Sequence, residues 1–158
     1  TGIDFAPNNI KAAKIHSKKN KLKINYIYKD IEKSKLDGKF DIILMFEVLE
    51  HLDNWKKTIK NIKKNLNKKG IVIISTINRN LISKLFAINI AENILNWIPK
   101  GTHDYNKLIK PEELKNTLSK ENFHFNNIKG LVFDPLSREW KLSKNYMINY
   151  FCTANLIN

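Results

Sequence analysis

The stretch Phe40-Asp41-Ile42-Ile43-Leu44-Met45 decides the fold. It is a short, nearly continuous apolar run that follows the turn signal Asp37-Gly38, and such a run reads as a strand covered on both faces. A second run, Ile71-Val72-Ile73-Ile74-Ser75-Thr76, begins directly after Gly70. Between the two, Leu52, Trp55, Ile59, Ile62 and Leu66 recur at steps of three and four, which predicts an amphipathic helix with Asp53 near its start. Strand, helix and strand with short connections predict an α/β sheet whose central strands are parallel.

The same rhythm extends outward. Thr1-Gly2-Ile3-Asp4 reads as the end of a strand, Pro7 as a first-turn helix proline, and Asn8 to Ser17 as the helix, with Ile10, Ala12 and Ala13 on one side. Lys23 to Tyr28 alternates polar and apolar, as a half-buried strand does. On the other side, Leu81–Ile98 has twelve apolar residues in eighteen, with Asn89, Glu92, Asn93 and Asn96 as a polar stripe, and Pro99 and Gly101 end it. Pro111-Glu112-Glu113-Leu114 opens a further helix. Phe123, Phe125 and Ile128, then Leu131-Val132-Phe133, read as strands, Asp134-Pro135 as a turn, and Tyr146 to Thr153 as a last strand. No repeat and no linker interrupts the chain, so residues 1–158 read as one domain.

Composition narrows the classes. A chain of 158 residues with 42% hydrophobic residues can bury a core and is not disordered. A single cysteine, Cys152, excludes an intramolecular disulfide framework and a cysteine-based zinc site. No apolar run is long enough to span a bilayer. Thr1 begins no signal-peptide pattern, which gives the expectation of a reducing, cytoplasmic-type compartment. The net charge of +13 comes almost wholly from lysine, because arginine stands only at Arg79 and Arg138. Arginine is the residue that forks onto phosphate and guanine, and the lysines are scattered, so the charge reads as AT-rich compositional drift and no nucleic-acid partner is expected. The same charge brings a modest attraction to anionic lipid.

Several residues could carry chemistry. Asp4 ends a strand, where a carboxylate accepts hydrogen bonds from both hydroxyls of a ribose or else caps the helix that follows. Asp30-Ile31, after the next strand, stand where an adenine would be read or form an ordinary turn. Glu47, Glu50 and His51 follow the Asp41–Met45 strand at i, i+3, i+4, and on a helix they would share one face. Two carboxylates and an imidazole suit a divalent cation, a solvated acidic turn, or a general base at His51 without a metal. Asn78-Arg79-Asn80 and Gly101-Thr102-His103-Asp104 add polar groups after the second strand and after the apolar helix.

Thr1-Gly2-Ile3-Asp4, Phe46-Glu47-Val48-Leu49-Glu50-His51, Ser75-Thr76-Ile77-Asn78-Arg79-Asn80, Pro99-Lys100-Gly101-Thr102-His103-Asp104 and Ile109-Lys110-Pro111-Glu112-Glu113-Leu114 occur in that order. Together they resemble the ubiquinone-biosynthesis O-methyltransferase family, comprising bacterial 3-demethylubiquinol 3-O-methyltransferase / 2-polyprenyl-6-hydroxyphenol methylase and its mitochondrial counterpart. The Asn-Arg-Asn and Lys-Gly-Thr-His-Asp stretches are the most specific. The resemblance implies a class I S-adenosylmethionine-dependent methyltransferase fold, a Rossmann-like sheet of seven strands with the last antiparallel. It implies methyl transfer from S-adenosylmethionine to a ring hydroxyl of a polyprenylated phenol or catechol. Asp4 would hold the cofactor's ribose, Phe46 would contact the cofactor, and Asp30 and Ile31 would read the adenine. Glu47, Glu50 and His51 would bind magnesium, with His51 and Glu47 catalytic.

The family's first strand and Gly-rich loop would precede Thr1 and are not in this sequence. The expectation is therefore that the chain by itself binds the cofactor poorly and is inactive, the longer enzyme being active. Because a polyprenyl tail lives in the bilayer, the resemblance also implies a peripheral position on the inner face of the bacterial inner membrane, or on the matrix side of the mitochondrial inner membrane. Association with other ubiquinone-biosynthesis proteins is expected with it. Leu81–Ile98 would then be either a membrane-contact helix or a lid. The competing expectations are a class I methyltransferase with another acceptor, or an inactive fragment that binds only membrane or a partner.

Overall fold

The computed structural model describes residues 1–85, 104–134 and 136–157. They form two compact units, Thr1–Asp37 and Gly38–Asn158.

In the first unit, strand β1 (Gly2–Asp4) and strand β2 (Tyr26–Tyr28) pair in parallel, with Ile3 opposite Ile27. Helix α1 (Pro7–Lys19) connects them. Pro7 occupies the first helical position, where its missing N–H costs nothing and its fixed φ suits the helix. Ala6, at the N-cap, has no side chain to accept a hydrogen bond, and Asp4 does that work from two residues upstream: its Oδ1 accepts from the Ala6 N–H at 2.7 Å. Strand β2 is three residues long where the alternation from Lys23 to Tyr28 predicts six, because Lys23 and Ile24 lie beyond the end of the short β1.

In the second unit, five strands lie in the order β3-β4-β7-β5-β6: β3 (Phe40–Phe46), β4 (Leu66–Ile77), β5 (Phe123–Asp134), β6 (Glu139–Ser143) and β7 (Asn149–Leu156). β3 and β4 are parallel, and β4–β7, β7–β5 and β5–β6 are antiparallel. Helix α2 (Trp55–Ile62) makes the crossover from β3 to β4, and helix α3 (Pro111–Lys120) precedes β5. The core is Met45, Val72 and Ile74 from the strands with Ile59 and Ile62 of α2 and Leu114 and Leu118 of α3. Each such side chain contributes about 1.5–3 kcal/mol by leaving water. Tyr150, also fully buried, satisfies its hydroxyl by donating to the Ile109 carbonyl at 3.0 Å.

Several expectations need correction. Among the described residues β3 lies at the edge of its sheet and is covered on one face: Ile43 and Met45 point inward, whereas Ile42 and Leu44 are each 58% exposed. A continuous apolar run reports strand character, and the number of covered faces depends on what packs against it. The predicted helix from Leu52 to Leu66 is shorter at both ends. Asn54, not Asp53, caps it by accepting from the Lys57 N–H at 3.0 Å, and Leu66 already pairs with Phe40 in the sheet. Phe123 to Asp134 is one strand with a register shift between Phe125 and Asn127, where two were expected. The last strand begins at Asn149, not Tyr146, because the chain before it is held off the sheet by Asn78 and Asn80. β6 was not anticipated. The expected helix Leu81–Ile98 lies mainly outside the described residues. Its start, Leu81–Ser83, is a helical turn in which Asn80 Oδ1 accepts from the Ser83 N–H at 2.9 Å. Among the described residues no helix is long and apolar enough to cross a membrane.

Candidate functional site

The carboxyl ends of β3 and β4 carry the chemistry of the second unit. The strands are parallel with Phe46 opposite Ser75, so Glu47, just past β3, faces the Ser75-Thr76 end of β4. Glu47 has φ +49, the left-handed region that side chains other than glycine rarely adopt. Ser75 holds it there. The Glu47 N–H donates to the Ser75 carbonyl and to Ser75 Oγ, both at 3.1 Å, and Ser75 Oγ donates back to Glu47 Oε1 at 2.7 Å.

Glu50 lies in a single tight turn, Leu49–His51, and is only 3% exposed. Its Oε2 accepts from Thr76 Oγ1 at 2.9 Å, while its Oε1 faces no donor. Burial, and next the charge of Glu47, push the Glu50 carboxyl up to about 8. At neutral pH it is therefore largely neutral, and a proton on Oε1 supplies the donor that the neighbouring Glu47 carboxylate can accept.

The helical face predicted for Glu47, Glu50 and His51 is not formed. The positive φ of Glu47 breaks the segment before the turn begins. The two glutamates come together, and the His51 side chain is exposed. Among the described residues no three His, Cys, Asp or Glu side chains converge as a ligand set. The two glutamates and His51 are not gathered as one ligand set, which does not fit the coordination that magnesium requires.

Asn78, Arg79 and Asn80, immediately beyond β4, act as braces. Asn78 Nδ2 donates to the Tyr146 carbonyl at 3.2 Å and Asn80 Nδ2 to the Met147 carbonyl at 2.6 Å, fixing the loop before β7. Arg79 donates to the Asn106 carbonyl at 3.3 Å and forms an ion pair with Glu113, tying β4 to α3. These braces and Tyr105, Lys110 and Tyr146 line a cavity of about 420 Å³. Asp104 uses its carboxylate to accept from the Asn106 N–H at 2.9 Å, and residues 101–103 of the same motif lie outside the described residues.

In the first unit both Asp4 oxygens are engaged, Oδ1 by the Ala6 N–H and Oδ2 by Asn9 Nδ2 at 3.0 Å. Each keeps a lone pair for a further donor. Asp30 builds a turn, accepting from the Glu32 N–H at 2.9 Å and pairing with Lys33 at 3.2 Å, and the backbone hydrogen bond from Glu32 leads the causes that hold its carboxyl below the usual range. Ile31 beside it is half-buried. Phe46 is partly exposed and meets Phe151 edge to face, with ring centres 5.5 Å apart. Cys152 is buried and its thiol is pushed up to about 12 by that burial, so it is no nucleophile. Sequence reasoning missed Ser75 and Thr76 as holders of the two glutamates. Their signal was two hydroxyls closing an otherwise apolar strand run.

The fold is that of class I S-adenosylmethionine-dependent methyltransferases. An S-adenosylmethionine-dependent methyltransferase from Clostridium acetobutylicum ATCC 824 matches 99% of this chain and 74% of its own at TM-score 0.70, with 12% identity. Magnesium protoporphyrin IX methyltransferase from Synechocystis PCC 6803 matches 99% of this chain and 63% of its own at TM-score 0.65, with 15% identity. The family profile described as a methyltransferase domain matches residues 1–141, and the chain belongs to that family. It is similar to the ubiquinone biosynthesis O-methyltransferase of Rickettsia typhi, 44% identical over 151 residues, 96% of this chain and 61% of that protein. The protein of the same name in Pelagibacter ubique is 44% identical over 149 residues, 94% of this chain and 62% of that protein. The chain therefore spans about three fifths of the length of these relatives.

Proposed function

We propose that the protein serves as an S-adenosylmethionine-dependent O-methyltransferase acting on a polyprenylated phenol or catechol of ubiquinone biosynthesis. The observation that carries this reading is 44% identity over nearly the whole chain to relatives of that name. The paired glutamates at the rim of the sheet support it.

When bound, S-adenosylmethionine supplies a methyl group on a sulfonium, ready for in-line attack. By the family resemblance, Asp4 of the first unit would hold the cofactor's ribose on its spare lone pairs and Asp30 and Ile31 would border the adenine, while Phe46 of the second unit would contact the cofactor. Glu47, held by Ser75, accepts the acceptor's hydroxyl hydrogen bond and orients its oxygen. His51 takes the proton as the oxygen–carbon bond forms and the sulfur–carbon bond breaks, leaving S-adenosylhomocysteine, a methyl ether and an imidazolium. Most of the rate comes from holding two reactants in line. Magnesium at Glu47, Glu50 and His51 is implied by the family resemblance alone, and the donor arrangement favours a protein base.

The acceptor's tail supports a peripheral position on the inner face of the bacterial inner membrane, or on the matrix side of the mitochondrial inner membrane, with other ubiquinone-biosynthesis proteins as partners. The test is methyl transfer by the longer enzyme that contains this chain, from methyl-tritiated S-adenosylmethionine to a short-tailed prenyl catechol, with dopamine and tRNA as rival acceptors. Label in the prenyl catechol that is lost in His51→Ala and Asp4→Asn is the expected result. Label in a rival acceptor, or transfer indifferent to both substitutions, overturns the reading.

A further inference from the structure

The end of the sheet away from Glu47 carries a basic groove. Lys39 stands just before β3, Lys60 in α2, Lys63 and Lys64 just after it and Lys68 near the start of β4, and these five lysines line a cavity of about 560 Å³. From Asn54 to Gly70 the chain has seven lysines and no acidic residue. Lys39, Lys60, Lys64 and Lys68 are exposed, and no carboxylate among the described residues forms an ion pair with any of the five. Glu121, at the end of α3, is the single carboxylate of the lining, and Asn67, also in the lining, donates to Asp41 at 2.7 Å. The ends of α2 and α3 carry about half a negative charge each, so with Glu121 and Asp41 they offset about three cations. Counting Lys69, next to Lys68 and exposed, six lysines leave a clear surplus. Leu66, which is buried, and Leu156, half-buried, complete the lining with apolar surface. These lysines are dispersed along the sequence, and the fold gathers them.

We propose that this groove docks an acidic, extended segment of a partner protein, with the partner's carboxylates against Lys39, Lys60, Lys64 and Lys68 and one of its apolar side chains against Leu156 and Leu66. The inference goes beyond the methyl-transfer reading and does not depend on the acceptor. Three features favour such a segment over other polyanions. No arginine and no aromatic side chain lines the groove, so it lacks the fork that grips phosphate and the platform on which bases stack. The site is a cavity between element ends, and a flat bilayer would meet only its rim. Apolar lining between separate ammonium groups suits carboxylates spaced along a chain with a bulky residue among them, as in protein interfaces with an apolar centre and a charged rim. The place also suits a docking role. Phe40 pairs with Leu66 at this end of β3, and Phe46 with Ser75 at the other. The seven residues of β3 span roughly 20 Å, so a partner seated in the groove leaves the Glu47 rim open.

The experiment uses the longer enzyme that contains this chain and a fluorescein-labelled peptide of Glu-Glu-Leu repeats, followed by anisotropy at about 0.15 M salt. The expected result is saturable binding that weakens as salt rises and is at least about tenfold weaker in Lys60→Glu/Lys64→Glu. The variant Lys11→Glu/Lys18→Glu makes the same charge change on α1 and should shift the affinity less than about twofold. A peptide of Glu-Glu-Ser repeats should bind at least about threefold more weakly, since it lacks the apolar anchor. All four substitutions are at exposed positions, and unchanged melting temperatures show that the variants are folded. Equal losses in the two variants reduce the binding to net charge and overturn the proposal, as does a peptide that does not bind. Poly(U) and phosphatidylglycerol vesicles are tested in parallel. If Lys60→Glu/Lys64→Glu loses either of these and keeps the peptide, the occupant is nucleic acid or lipid and the proposal falls.

Discussion

Ser75 and Glu47 lock each other. The serine hydroxyl accepts the Glu47 N–H at 3.1 Å and donates to the Glu47 carboxylate at 2.7 Å, closing a ring across the carboxyl ends of β3 and β4. That ring holds Glu47 at φ +49. The backbone strain is offset by two hydrogen bonds from one side chain.

Glu47→Gly should therefore stabilise the chain, by roughly 0.5–1 kcal/mol, since glycine meets no penalty at positive φ. The same change should abolish methyl transfer. Ser75→Ala should cost about 1 kcal/mol, because the Glu47 carboxylate loses the hydroxyl's hydrogen bond while its N–H keeps only the Ser75 carbonyl. Urea unfolding of the two variants checks the opposite signs. Destabilisation by Glu47→Gly would show that the lost Ser75 hydrogen bond outweighs the backbone strain.

Glu50 makes stability depend on pH. Its folded carboxyl titrates at about 8 against 4.5 for the unfolded chain. The folded state thus keeps a proton that the unfolded state has lost. The stabilisation is fully present below about pH 4.5 and is lost as pH rises to about 8. Glu50→Gln should flatten this decline, which denaturant midpoints measured across that window would reveal. A decline equally steep in the variant would place its origin elsewhere.

Gly130 has no room for a side chain. A Cβ there would lie 1.8 Å from the Asn145 carbonyl oxygen and 2.9 Å from Tyr146 Cα, and both are backbone. Gly130→Ala should cost at least about 2 kcal/mol by overpacking. Thermal melting reads the effect.

Arg79 reaches two partners with one fork, the Asn106 carbonyl and Glu113. Arg79→Lys keeps the charge and loses the fork, at a cost of about 1 kcal/mol. Glu113→Gln in the same background should then add little, so a double-mutant cycle by urea unfolding measures how far the two residues act together.

The β3–α2–β4 crossover was legible because apolar runs and three-four spacing are local signals. Which faces of β3 are covered was not, since burial is settled by what packs against Ile42 and Leu44. The acidic motif was found by residue type but misassembled by spacing. Helical i, i+3, i+4 geometry presumes helical φ at Glu47, and Ser75, 28 residues away, imposes the opposite sign. Glu139 to Ser143 alternates as a strand should, yet its five residues gain meaning only from pairing with β5. Asn78 and Asn80 show in the sequence only as polar groups at the sheet edge, structural before catalytic, and their partners are carbonyls 68 and 67 positions along, which no local signal names.

β3 has one hydrogen-bonded neighbour and shows Ile42 and Leu44 to solvent. Seven residues of high strand propensity with Asp41 as their only charge can recruit further chains into a growing ladder. In concentrated solution this edge favours association of chains, and Ile42→Lys should weaken it.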